Sequence, residues 1–249
     1  VASPFGKGCN MPDNLFKYIK YIGEDIIVEF LSEGKNTRIK MAADDFGGKK
    51  LFGEFLIEFP DGHETLNVVI PWSKNRFQYT SKQNCLPISG TLNALGKEYK
   101  YEKKKHFASL DFGRGVWPYN TMWNWATLSG ETDGKVFGIN LGAKWTDGTG
   151  YTENALILEG KITKLSEDVE FIYDAKDIMK PWRIKSKISD RVDLMFEPIY
   201  KRTAKTNAVI IKSVVYQMIG KFSGIIKCEN GEVVIKNIIG CAEEHNARW

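Results

Sequence analysis

Apolar and polar residues alternate along most of this chain in short runs, the period of a strand that buries one face. Asp25 to Leu31, Thr37 to Ala43 and Leu51 to Phe59 are the first clear cases. In the third, Leu51, Phe55, Ile57 and Phe59 interleave with Phe52, Glu54, Leu56 and Glu58. Pro60-Asp61-Gly62 then supplies turn chemistry, because proline presets one φ and glycine accepts the next. Further runs span His106 to Phe112, Val136 to Leu141, Tyr151 to Leu158, Arg191 to Phe196, Ala208 to Tyr216, Lys221 to Cys228 and Glu232 to Ile238. Asn230-Gly231 between the last two is a hairpin signal, since both residues tolerate positive φ. The pattern predicts about fifteen strands with turns at regular spacing, an antiparallel sandwich or barrel.

Helical periodicity is sparse. Leu15, Tyr18, Ile19 and Ile22 have the spacing of one short helix. Ile162, Leu165, Val169, Ile172 and Ile178 fit a helical face loosely, but Asp168 to Tyr173 also alternates, which favours strands there. A change of character near residues 94–98 divides the chain into an N-terminal β half, 1–95, and a tryptophan-rich half, 96–249.

Composition narrows the class without naming a function. The 249 residues are 43% hydrophobic and 27% charged, an ordinary globular balance with a net charge of +4. The densest basic run, Lys103-Lys104-Lys105, reads as the protected edge of a strand rather than a nucleic-acid strip. Cys9, Cys85, Cys228 and Cys241 show no zinc-ligand spacing, so neither a metal nor a disulfide framework is expected. No apolar run is long enough to span a bilayer and no leader precedes Val1, so a cytoplasmic location is expected.

The usual signatures of phosphate-binding loops, dinucleotide folds, nucleophile elbows and zinc proteases are missing. His63, His106 and His245 lie far apart in the sequence and read as surface or satisfied core residues. No cofactor is expected.

Chemistry concentrates between His106 and Asn154. Trp117, Trp123, Trp125 and Trp145 fall there, with Asp111, Arg114, Asn120, Asn140, Asp147, Glu153 and Asn154 among them. On a strand Trp123 and Trp125 share one face, and Trp117 and Tyr119 do so if their segment is extended. Apolar area with a few fixed polar groups is what a ligand cavity needs. Packing explains the same residues equally well, with Asp111 paired to Arg114 inside a β core.

The motifs in this region resemble a known family. Leu110-Asp-Phe-Gly-Arg-Gly-Val-Trp-Pro-Tyr119, Trp123-Asn-Trp125, Gly138-Ile-Asn-Leu-Gly142, Thr152-Glu-Asn154, Pro181-Trp182, Phe196-Glu-Pro198 and Gly240-Cys-Ala-Glu-Glu244 with Trp249 look like the family catalogued as domain of unknown function 2804. Gln83-Asn-Cys-Leu-Pro87 and Ser89-Gly90 match its earlier segment. Phe112 stands where the family pattern has Trp, and Ala143-Lys-Trp145 replaces a more glycine-rich run. The family's opening segment is expected to be missing before Val1. More remotely, the pattern resembles lipocalin-like proteins that include carotenoid hydratases. That resemblance implies an all-β antiparallel fold of two calycin/lipocalin-like barrel or sandwich halves, with few short helices and a ligand cavity.

Three functions remain open on these residues. The first is binding of a small apolar or amphipathic molecule, with Arg114, Trp117, Tyr119, Asn120, Trp123, Trp125, Asn140, Trp145 and Asn154 around it. The second is a cofactor-free hydratase or cyclase acting on an alkene or isoprenoid, with Asp111, then Glu153 or Asp147, as proton donor. The third is a structural β protein without a small ligand. No nucleic-acid partner is expected, and oligomeric state is not legible.

Overall fold

Leu51, Gly53, Phe55 and Ile57 turn inward while Phe52 and Glu54 turn out, as the alternation requires. The computed structural model describes residues 8–10, 12, 17–208, 211–228 and 231–248. These residues are all-β: eighteen strands, no helix, and every ladder with a determined register antiparallel. None contains a helix long and apolar enough to cross a membrane.

The described residues form two compact units, one within 1–61 and 86–108, the other within 62–85 and 109–249. The first contains β1 (Cys9–Asn10), β2 (Ile19–Ile22), β3 (Ile27–Glu33), β4 (Asn36–Ala43), β5 (Leu51–Ile57), the later part of β7 (Arg76–Ala94), and β8 (Lys97–Tyr101), hydrogen-bonded in that order. Ala43, Leu51 and Ala94 centre a small apolar cluster in it. The boundary expected at 95/96 falls in the Leu95-Gly96 turn between β7 and β8.

The second unit contains β6 (Leu66–Ser73), the first part of β7, β9 (Phe107–Val116) from Ser109 onward, and a nine-stranded antiparallel sheet. That sheet comprises β10 (Asn120–Thr132), β11 (Lys135–Ala143), β12 (Ala155–Leu158), β13 (Lys161–Lys164), β14 (Val169–Ile172), β15 (Trp182–Ser186), β16 (Val192–Ala208), β17 (Ile211–Cys228) and β18 (Gly231–Arg248). Its order is β13-β12-β11-β10-β18-β17-β16-β15-β14, curled so that β11 meets β14. The concave core holds Phe137, Trp182, Phe196 and Phe222, all fully buried.

Several expectations change. Ile19–Ile22, expected within a helix, forms β2; Leu15 lies outside the described residues. β-Branched Ile19 and Ile22 suit a paired strand, and cross-strand pairing with Phe30 and Ile27 supplies it. Lys103 to Lys105 form the turn after β8 rather than a strand edge, with Lys103 donating to Glu58 at 2.6 Å. Within the expected runs 208–216 and 221–228, Ile211–Cys228 is one strand, β17, not two, while Ala208 ends β16 and residues 209–210 lie outside the described residues. Glycine permits this continuity: a Cβ at Gly220 would lie 2.3 Å from the Glu197 carbonyl oxygen, and Gly224 takes φ +141° beside a register shift. Cys228 and Gly231 pair at the expected hairpin, although Glu229 and Asn230 lie outside the described residues. The side chain of Cys9 also lies outside them.

Candidate functional site

The register of the large sheet builds the site. On β10, Asn124, Ala126 and Leu128 face the apolar core, so Trp123, Trp125 and Thr127 must face the other way. Trp125 lies opposite Gly142 on β11 and Glu243 on β18; Glu243 lies opposite Gln217 on β17, and Gln217 opposite Arg202 on β16. One row of side chains therefore crosses four strands. Over this face β7 lays a second stripe, Gln78, Thr80 and Lys82, spaced by two and each buried.

Between them is a cavity of about 460 Å³. One wall is aromatic: Trp117, Trp123, Trp125 and Trp145. Trp117 stacks on Trp123 at 5.0 Å and packs against Trp145 at 5.6 Å and Trp72 at 5.0 Å. Apart from Gly113, the remaining lining is polar: Gln78, Thr80, Lys82, Asp111, Glu153, Gln217 and Glu243.

Lys82 is the centre of the polar wall. Its ammonium donates to Asp111, lies 3.6 Å from Glu153 Oε2, and sits 4.5 Å over the Trp125 ring. Burial works against the charge, but Glu153 and Asp111 outweigh it and raise the Lys82 pKa. Glu153 is 2% exposed and accepts Trp145 Nε1 at 2.6 Å and Asn140 Nδ2 at 3.2 Å. Room for its carboxylate comes from Gly142, where a Cβ would lie 2.0 Å from Glu153 Oε1. Glu243 accepts Trp123 Nε1 at 2.9 Å and Gln217 Nε2 at 2.6 Å. Beside it, His245 packs at a tilt against Trp123, with ring centroids 4.0 Å apart, and burial pushes its pKa down to about 4.

The expected site residues therefore divide. Asp111, Glu153, Trp117, Trp123, Trp125 and Trp145 all line the cavity. Asn140 stands behind it, accepting Trp125 Nε1 at 2.8 Å and donating to Glu153. Asn154 clamps backbone, accepting from Gly142 and donating to the Glu167 carbonyl at 2.9 Å. Asp147 belongs to a loop, where it accepts the Lys144 amide at 2.7 Å and Lys187 Nζ at 2.8 Å. Arg114 and Tyr119 are exposed and outside the lining: Arg114 alternates with Asp111 and Gly113, which face the cavity from β9, and Tyr119 lies in the segment between β9 and β10. Asn120 lines a separate hollow of about 450 Å³ with Met122, Lys212 and Arg248. Asp111 accepts from Lys82 and Thr80, so its partner is a residue of β7 rather than the expected Arg114.

Gln78, Thr80, Lys82, Gln217 and Glu243 escape sequence reasoning. Polar residues at period two look like a solvated strand face. The available signal was Gln78-x-Thr80-x-Lys82-x-Asn84, a polar alternation with Tyr79, Ser81 and Gln83 between, which offers neither face to a conventional core. Among the described residues, no three His, Cys, Asp or Glu side chains group to hold a metal ion.

Comparison with solved structures finds shared architecture. The structure described as an AttH protein of Nitrosomonas europaea matches with TM-score 0.51 at 12% identity, over 90% of this chain and 70% of that one. Kievitone hydratase of Nectria haematococca aligns with TM-score 0.44 at 9% identity, over 93% of this chain and 84% of that one. CghA aligns with TM-score 0.44 at 11% identity, over 96% of this chain and 72% of that one. No curated protein matches. The family model described as Domain of unknown function (DUF2804) matches residues 1–249, and the chain belongs to that family.

Proposed function

We propose that the second unit binds a small amphipathic molecule in its tryptophan-lined cavity. The observation that carries this reading is the cavity's divided wall, with stacked indoles on one side and hydrogen-bonded, buried polar groups on the other. Indoles supply apolar contact area, while fixed donors and acceptors orient a polar end. Its volume of about 460 Å³ lies within the general range of small-molecule pockets, roughly 300–1,000 Å³.

Binding is favoured over proton delivery by the company the carboxylates keep. Asp111 and Glu153 share one ammonium, and Glu153 accepts every hydrogen bond described for its carboxylate. A side chain used only as an acceptor orients a ligand donor readily. A protein with no small ligand is the remaining competitor, and it predicts a site that takes up nothing.

Native mass spectrometry of protein purified from its own host tests the reading. A mass increment that disappears in Trp117→Ala, with the fold intact by circular dichroism, is the expected result. Absence of any carried molecule, together with tryptophan fluorescence unresponsive to a panel of amphiphiles, overturns it. Should turnover of an alkene be found, Asp111→Asn is expected to leave it unchanged; loss of turnover with retained binding would restore the acid role.

A further inference from the structure

The charges around the cavity do not balance, and the imbalance has a location. Among the described residues, Asp111, Glu153 and Glu243 face it with Lys82 as the lining's one cation. Lys82 is committed to two of those carboxylates and to the Trp125 face. Glu243 is the third. Among the described residues, its recorded partners are the indole of Trp123 and the amide of Gln217, both neutral. The ion pair recorded for it is with His245, whose Nδ1 is 4.0 Å from Oε1 and which burial holds neutral at pH 7. Arg202 stops one residue short: its Nη1 donates to Gln217 Oε1 at 2.6 Å, which turns the Gln217 amino group toward Glu243.

Each Glu243 oxygen thus has one recorded donor, and a carboxylate offers roughly four lone-pair sites. The residue is 8% exposed and lines the cavity. A buried charge without a counter-ion is costly unless something else pairs with it. The neighbouring surface points the same way. Trp117 and Trp123 line the cavity together with Glu243, and indole rings attract cations through their quadrupoles.

Resting on the small-molecule reading above, we infer that the ligand is an organic cation, an ammonium on an apolar body, with Glu243 meeting its charge and Trp117 and Trp123 its flank. Lys82 then acts as a positioning residue: it neutralises the Asp111 and Glu153 side of the cavity and leaves Glu243 as the anchor. Gln217, held by Arg202, fixes the anchor's orientation from behind.

The test uses the full chain and three probes of matched shape: phenylpropylammonium, phenylpropanol and phenylpropanoate. Calorimetry at neutral pH and low salt is expected to rank the ammonium at least about tenfold tighter than the alcohol, with the carboxylate weakest. Glu243→Gln should reduce the ammonium's advantage over the alcohol to less than about threefold. Wild-type protein gives a second readout that needs no variant, because added salt should weaken the ammonium and leave the alcohol unaffected. Equal or tighter binding of the alcohol or carboxylate, or a salt-independent ammonium, overturns the cation inference while the small-molecule reading stands. Failure of all three probes, with no molecule carried from the host, overturns both.

Discussion

The two faces of the nine-stranded sheet use the same residue types for opposite ends. On the concave face Trp182 is fully buried, stacks on Tyr173 at 4.0 Å, and donates its indole N–H to the carbonyl of Ile178, four residues away. Aliphatic and aromatic side chains close around it. On the other face Trp123, Trp125 and Trp145 donate to Glu243, Asn140 and Glu153, side chains on other segments of the unit. A tryptophan that closes a core satisfies its polar handle locally. One that lines a cavity uses that handle to hold polar groups against the apolar wall. The partner of the indole N–H, more than the burial of the ring, separates the two.

This contrast is sharpest where removal of a side chain should have its largest effect. Trp182→Ala leaves a hole in close-packed surroundings and is expected to cost roughly 3–5 kcal/mol, read as a lowered denaturant midpoint. A cost under about 1 kcal/mol would show that the concave face is loosely packed.

Lys82→Met comes next. It leaves Asp111 and Glu153 without their shared cation, and breaking a buried pair on one side costs about 3 kcal/mol. Combining it with Glu153→Gln should return part of that loss, because the uncompensated charge is gone. Equal stability of single and double variants would mean that Glu153 feels little of Lys82. Chemical denaturation of all three proteins decides it.

His245 gives an effect of intermediate size and known sign. Its native pKa of about 4 lies below the ordinary 6.5, so the folded protein binds fewer protons than the unfolded chain between those values. Stability should therefore be complete above pH 6.5 and fall as pH drops toward 4. Melting temperatures across that window, compared with His245→Gln, isolate the contribution. A variant whose pH profile matches the wild type would place the sensitivity elsewhere.

Trp117→Ala should have the smallest effect on stability, about 1 kcal/mol or less, because the ring is only half-buried and borders open volume. Its effect should fall on ligand affinity instead. If it destabilises as much as Trp182→Ala, the distinction between the two faces is lost.

The strands and the aromatic wall were legible because period-two alternation and clustered tryptophans are local signals. The polar wall was not. Glu243 and Gln217 meet only through the β17–β18 register, and Lys82 reaches Asp111 across 29 positions. β10 also misleads locally: its large Trp123 and Trp125 look like core residues, yet small Ala126 faces the core and the indoles face the cavity. Volume in a strand does not reveal which side of the sheet is closed. Arg114 and Tyr119 lie outside the lining for two different reasons: alternation along β9 turns Arg114 away from the side of Asp111 and Gly113, and Tyr119 lies past the end of that strand, beyond Pro118.

Gly142 makes the acidic character of the cavity depend on a missing methyl group. Because Glu153 occupies the volume that any other residue's Cβ would take, Ala at this position would evict the carboxylate while leaving its codon untouched. Lys82 would then answer to Asp111 alone. Position 142, which puts no side chain into the cavity, thus sets whether Glu153 can face it.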